Sequence, residues 1–298
     1  MTHMPEIRLT ERLIPLRIQH LSMGLFLMKM NKISYSIEPI YPIIDPEYPK
    51  FQLIVGSAEG RKRVYTSKFN KDDSLKELHR AVFGHRRIRT KIHLLSISSR
   101  KEDPFRFWRE EIKFHVRNVK VPTLQNPYFD QVARVLTPAS LPLDTIESDE
   151  FVWNFQELEH PIVRSAKRLI VDTLQLSSDF GTKFKDWKYQ TVELKRVGSL
   201  EGVGYIMEMV ENWIEHGKGV GTCYKFGMTI EKIEEIMEAI RAREEIVEIS
   251  EKIVKLGMLT GSRIAVSFEK QPEMFSHDAV EPEPPMGLLE FKVVEFYE

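Results

Sequence analysis

The chain has 298 residues, of which 42% are hydrophobic and 29% charged, and its net charge is −1. This is ordinary globular composition, for which disorder is not the default expectation. The single cysteine, Cys223, excludes an internal disulfide framework and suits a reducing, cytoplasmic compartment. The apolar run from Leu21 to Met28 is too short to span a bilayer, so we expect a soluble protein with no membrane partner.

The charge is distributed unevenly along the chain. The stretch from Arg61 to Lys120 holds 18 Lys and Arg against 7 Asp and Glu. When the chain is divided after Gln125, the first part carries a net charge of +11 and the second −12. This asymmetry indicates a polyanionic partner for the first part, although the two halves could instead neutralise each other.

The first part predicts an α+β domain, in which helices pack on a basic antiparallel sheet. We assign residues 1–32 to an N-terminal extension and 33–136 to this domain. Its predicted elements are a hairpin, a helix that starts with a capping box at Ser74 and two further strands, at 51–67, 74–84, 88–97 and 112–117.

Basic and apolar residues alternate along the last two of these strands. Because successive side chains point to opposite sides of a strand, the basic residues share one face. We therefore predict a nucleic-acid-binding face, where Lys and Arg neutralise phosphates and aromatic rings stack on bases. A solvated face without function would alternate in the same way. The residues assigned to this face are Lys62, Arg63, Tyr65, Arg86, Arg87, Arg89, Lys91, His93, Trp108, Lys113, His115 and Arg117.

The second part predicts an acidic, mainly helical α/β domain over residues 149–298, after a linker at 137–148 that is rich in proline and small polar residues. Apolar residues at helical spacing predict three helices. A strand precedes the second helix, and a strand pair ends the chain. The predicted helices are at 161–176, 199–216 and 229–256, and the strands at 189–197, 263–270 and 288–297.

The sequence from Thr191 to Arg196 contains Glu193-Leu194-Lys195 on a strand that leads into a helix. This element resembles the E-x-K motif of the PD-(D/E)xK nuclease superfamily. The resemblance, which covers residues 179–217, implies that Glu193 binds Mg²⁺ and that Lys195 positions the attacking water. It also implies an upstream aspartate as a second metal ligand, for which Asp179 and Asp186 are the candidates.

Three functions therefore follow from the sequence. The first is nucleic-acid binding by the basic face, and the second is a Mg²⁺-dependent nuclease. The third is a non-enzymatic assembly protein of a mobile element or virus, a homo-oligomer whose basic and acidic halves pair between subunits. Frequent Arg, Glu and Lys with few Asn and Gln is also a composition found in thermophiles.

Overall fold

The computed structural model describes residues 16–24, 26–39, 51–60, 62–66, 70–83, 90–98, 105, 112–152, 158–175, 187–198, 202–250, 252–271 and 285–296. These residues form fifteen strands and five α-helices. The predicted α+β class, with its helix-rich second domain, is therefore wrong, because β-sheet dominates the described chain. The chain divides into two compact units, Met1–Ile146 and Glu147–Glu298, with the boundary inside the segment predicted as a linker.

The sheet of the first unit combines a parallel and an antiparallel part. Its strands follow the order β7-β6-β1-β2-β3-β4-β5. Strands β7, β6 and β1 are mutually parallel, whereas each neighbouring pair from β1 to β5 is antiparallel. Residues predicted as an extension thus supply β1, which lies between β6 and β2. The strands are β1 (Arg17–Met23), β2 (Leu27–Met30), β3 (Ile33–Pro39), β4 (Phe51–Ser57), β5 (Lys62–Thr66), β6 (Thr90–Ile97) and β7 (Phe114–Val121).

Two helices belong to the first unit, α1 (Lys71–Phe83) and α2 (Asn126–Val135), followed by a short 3-10 helix at Pro138–Ser140. Helix α1 packs on β3 and β4. It begins one turn earlier than the capping box at Ser74 predicts, because Asn70 caps it instead. The Asn70 Oδ1 accepts a hydrogen bond from the amide of Asp73 at 2.8 Å, which satisfies a donor left free by the first helical turn.

The sheet of the second unit follows the order β12-β13-β14-β15-β11-β10-β9-β8. Strands β9, β10 and β11 are parallel, and the pairs from β11 through β15 to β12 are antiparallel. The strands are β8 (Thr145–Val152), which begins just before the unit boundary, β9 (Arg168–Gln175), β10 (Thr191–Gly198), β11 (Cys223–Thr229), β12 (Ile246–Ile249), β13 (Ile253–Gly257), β14 (Arg263–Lys270) and β15 (Met286–Val294).

Three helices belong to the second unit, α3 (Pro161–Ser165), α4 (Gly202–His216) and α5 (Ile230–Arg241). Two predicted helices are therefore too long. The segment predicted at 161–176 is helical only to Ser165, and the one at 229–256 only to Arg241. Their remaining residues form β9, β12 and β13, where β-branched side chains favour the extended backbone.

The core of the second unit lies between its sheet and its helices. Helix α5 packs against α4 and against β11 and β15. The inward side chains of the central strands are completely buried, among them Leu194, Phe226 and Phe291. The opposite face of these strands carries half-buried charged residues.

Candidate functional site

Cationic side chains from three parallel strands of the first unit line one cleft of about 340 Å³. Strands β1, β6 and β7 each contribute a cation, Arg17, Lys91 and Arg117 respectively. No acidic residue lies among the described residues that line it. The residues of this cationic cleft are Arg17, Ile18, Gln19, Lys91, Ile92, His93, His115 and Arg117.

The parallel register brings these side chains together. Arg17 is paired in register with Lys91, and Lys91 with His115, so these residues form one row across the three strands. Two positions further along the strands, Gln19, His93 and Arg117 form a second row. Ile18 and Ile92 lie between the rows and are no more than 2% exposed, so they anchor the strands in the core.

All three strands break the regular alternation of buried and exposed residues at the second row. Consecutive core residues of a regular strand are two positions apart. Here they are three apart in each strand, at Ile18 and Leu21, Ile92 and Leu95, and Val116 and Val119. The pairing offset is the same before and after this level, so all three strands share a bulge-like break of the alternation that, unlike a β-bulge in a single strand, shifts no register. We call the level of Gln19, His93 and Arg117 the bulge row.

Two asparagine side chains hold the bulge row. The amides of Gln19 and His20 both donate to Oδ1 of Asn31, at 2.9 and 3.1 Å, so two successive amides face the same side. On the other side, Nδ2 of Asn118 donates to the carbonyl oxygen of His93 at 2.9 Å. These side chains therefore satisfy main-chain donors and an acceptor at this level.

The three cations of the cleft have no ion-pair partner in the part of the chain that the structure describes. Arg17, Lys91 and Arg117 form no ion pair with another described residue. All three side chains are exposed, as is His93, whereas His115 is half-buried. Uncompensated cations in a concave site attract anions more strongly than the same charges dispersed over a surface.

The structure places the other predicted binding residues elsewhere. Lys62, Arg63 and Tyr65 are exposed on β5, four strands from β1, which corresponds to roughly 20 Å. Lys113 donates to the carbonyl oxygen of Arg134 at the end of α2, where a cation also offsets the helix dipole. Arg86, Arg87, Arg89 and Trp108 lie outside the described residues.

The sequence alone did not point to four parts of the site, Arg17, Gln19, Asn31 and Asn118. A signal for the bulge row is nevertheless present, because three segments contain apolar residues separated by two non-core positions. These segments are Ile18-Gln19-His20-Leu21, Ile92-His93-Leu94-Leu95 and Val116-Arg117-Asn118-Val119.

In the second unit, Glu193 and Lys195 lie on one side of β10, opposite the buried Val192 and Leu194. They do not pair with each other. Glu193 accepts from Arg168 at 2.7 Å, and Lys195 contacts Glu147 at 3.2 Å.

The same face continues into neighbouring strands. Lys225 of β11, the register partner of Glu193, bonds Glu290 of β15 at 2.6 Å. The hydrogen bond to Glu290 raises the pKa of Lys225. Burial, together with Glu290, raises the pKa of Cys223 to about 11, which disfavours a thiolate nucleophile at neutral pH. Basic and acidic residues thus alternate across neighbouring strands, from Arg168 on β9 and Glu193 on β10 to Lys225 on β11 and Glu290 on β15.

The described residues do not supply the metal site that the nuclease resemblance implies. They contain no group of three or more His, Cys, Asp or Glu side chains arranged to hold a metal ion. The Glu193 carboxylate, the expected Mg²⁺ ligand, is engaged by Arg168. Asp179 and Asp186 lie outside the described residues.

Comparison with known proteins gives one match. The model of a family described as a domain of unknown function (DUF3557) matches residues 70–230. No curated protein and no solved structure matches the chain. Among the described residues, no helix is both long and apolar enough to cross a membrane.

Proposed function

The chain belongs to the family described as a domain of unknown function (DUF3557), and from the geometry of its cationic cleft we propose that it binds nucleic acid. The observation that carries the proposal is the convergence of Arg17, Lys91 and Arg117 in one cleft, where none of them forms an ion pair with a described residue. Lys and Arg that neutralise phosphates supply most of the affinity in such complexes.

The position of the cleft also supports the proposal. Its cations stand on adjacent strands of one sheet, so the backbone hydrogen bonds fix their spacing. Imidazole rings of His93 and His115 line the same cleft and can donate hydrogen bonds to phosphate or stack on a base. A sheet that presents both kinds of group suits a flexible strand whose bases are accessible.

The test is the salt dependence of binding by the full chain. Fluorescence anisotropy with a labelled single-stranded oligonucleotide gives the affinity at several salt concentrations. Each phosphate contact contributes about 0.7 to the slope of log affinity against log salt for a single strand. Replacing Lys91 and Arg117 by Gln together should therefore reduce the slope by about 1.4.

The matched control is the double variant Lys62→Gln/Arg63→Gln, which removes two exposed charges from β5, roughly 20 Å from the cleft. We expect its slope to equal that of the wild type. If both double variants lowered the slope equally, binding would depend on net charge rather than on the cleft. Absence of binding by the wild type at low salt would contradict the proposal as a whole.

A metal-dependent nuclease is the second candidate, and one observation favours it. Glu193 and Lys195 project from the same side of a central parallel strand, as the E-x-K resemblance requires. Cleavage of nucleic acid that depends on Mg²⁺ and disappears in both Glu193→Gln and Lys195→Gln would support it. The control is Arg196→Gln, which removes the neighbouring cation and its ion pair with Asp172. Equal cleavage by all variants would reject this candidate.

Self-assembly through opposite charges is the remaining alternative for the cleft. The second unit neutralises part of its own acidic charge, since Glu193, Asp172 and Glu290 each pair with a base of that unit. Light scattering during the same salt series separates the alternatives. A particle mass that falls as salt rises would support assembly, and a constant monomer mass would oppose it.

A further inference from the structure

The size of the cationic cleft restricts what can occupy it. Its floor spans three strands, or two strand spacings, which is about 10 Å, and its two rows are about 7 Å apart along the strands. A volume of about 340 Å³ lies at the small end of the range for ligand sites. The cleft therefore accommodates a compact anionic group rather than the face of a duplex.

Main chain borders the cleft on both sides. Beside β1, the turn between β2 and β3 brings Asn31 against Gln19 and His20, so no strand among the described residues continues the first row there. Beside β7, the amide of Asp144 donates to the carbonyl oxygen of Arg117 at 2.8 Å. No Lys or Arg occurs from Leu136 to Ile146, the segment that follows α2, so the basic rows do not extend past β7 within the described first unit.

The number and kind of cations indicate which phosphate fits. A phosphodiester within a nucleic acid carries one negative charge. A terminal phosphomonoester carries between about −1.5 and −2 at neutral pH, and it offers three acceptor oxygens. Three separate strands each provide one cation, and two of these are guanidinium groups that bind phosphate through two parallel hydrogen bonds.

We propose that the cationic cleft recognises the terminal phosphomonoester of a single-stranded nucleic acid. This inference rests on the proposed function and names its substrate class. Arg17, Lys91 and Arg117 contact the phosphate oxygens, while His93 and His115 border the terminal nucleotide. Asn31 and Asn118 act as positioning residues, because they hold the bulge row and do not line the cleft.

The experiment compares decanucleotides of one sequence that end in a 5′-phosphate, in a 3′-phosphate, or in hydroxyl groups only. A hydroxyl-ended strand two nucleotides longer carries about 11 negative charges, at least as many as the roughly 10.5 to 11 of the phosphorylated decamers, so it controls for total charge. The full chain is titrated against each strand by anisotropy at neutral pH and low salt. We expect either the 5′-phosphorylated or the 3′-phosphorylated decamer to bind about tenfold more tightly than this charge-matched strand.

Two sets of variants locate the effect. The preference should disappear in Arg17→Gln and in Lys91→Gln, and it should persist in Lys62→Gln/Arg63→Gln. Circular dichroism establishes that each variant is folded. The variant Arg17→Lys keeps the charge but not the paired donors of the guanidinium, so it should retain an intermediate preference.

The outcomes separate this inference from the proposed function. Equal binding of phosphorylated and charge-matched strands, lost in the cleft variants, would overturn the terminal-phosphate inference while supporting nucleic-acid binding. A preference that survives in Arg17→Gln and Lys91→Gln would also overturn it. Absence of binding to every strand would refute the proposed function and the inference together.

Discussion

Replacing Asn31 tests how the bulge row is held. Its Oδ1 accepts from the amides of Gln19 and His20, and its φ of +56° lies in the left-handed region, which Asn tolerates better than Ala does. Asn31→Ala removes an acceptor shared by two partly solvated amides, at a cost of about 1 kcal/mol. The left-handed backbone adds about 1 kcal/mol. The total is roughly 2 kcal/mol of lost stability.

Hydrogen exchange measured residue by residue is the direct assay. In Asn31→Ala the amides of Gln19 and His20 should exchange at least about tenfold faster than in the wild type. Urea unfolding of the full chain measures the total loss.

Two further variants at this position separate the contributions. Asn31→Asp keeps both the acceptor and the tolerance for left-handed backbone, so it should stay within about 0.5 kcal/mol of the wild type. Asn31→Gly also removes the acceptor, but glycine adopts the left-handed backbone without strain. Its stability should therefore lie between those of Asn31→Asp and Asn31→Ala. If Asn31→Asp exchanges as fast as Asn31→Ala, the side-chain acceptor does not hold the bulge row.

Three other predictions concern stability and reactivity. In Gly227→Ala the new methyl group would meet the Lys195 backbone, whose carbonyl carbon lies 2.6 Å from the Cβ position. We therefore expect the second unit of this variant to unfold at a clearly lower temperature than in the wild type. The control is Gly204→Ala, whose Cβ meets nothing within 4 Å and which should stabilise α4 by about 0.5 kcal/mol. Equal unfolding temperatures of Gly227→Ala and Gly204→Ala would contradict this expectation. Glu290→Gln should lower the raised pKa of Cys223 and accelerate its alkylation by iodoacetamide at mildly alkaline pH, whereas an unchanged rate would show that burial alone sets it. Burial lowers the pKa of His79 to about 3 from its usual 6.5, so the unfolded chain binds a proton that the folded chain does not, and stability falls as the pH drops below 6.5. The loss should reach roughly 2 kcal/mol near pH 5 and should be absent in His79→Leu, as urea titrations at several pH values would reveal.

Part of the cleft could be predicted because its chemistry repeats locally. Lys91 and His93, and likewise His115 and Arg117, alternate with apolar residues, and period two fixes which side they occupy. Arg17 could not be assigned in this way. It joins the site through pairing with a strand more than seventy positions later in the chain, and no local pattern encodes that partner.

The same limitation explains why Lys62 and Arg63 were assigned to one surface with Lys91. Their proximity to Lys91 in sequence suggested a common surface, but sheet order places β5 at the far side from β6. In the second unit, Ile246, Ile249 and Ile253 fit a helical stripe, yet they belong to β12 and β13. Isoleucine at spacings of three and four satisfies a helix pattern, whereas its branched side chain favours the extended backbone.

The alignment of the bulge-like breaks in β1, β6 and β7 has a consequence for how this chain can change in length. Deleting Gln19 alone would shift the end of β1 by one position against both neighbours and move Leu21 from the core to the opposite face. A regular sheet would return only if β6 and β7 also lost one residue each, at His93 and Arg117. Three segments that lie far apart in the sequence are therefore expected to retain or lose their extra residue together. An alignment of homologues that shows a gap at only one of these three positions would contradict this expectation.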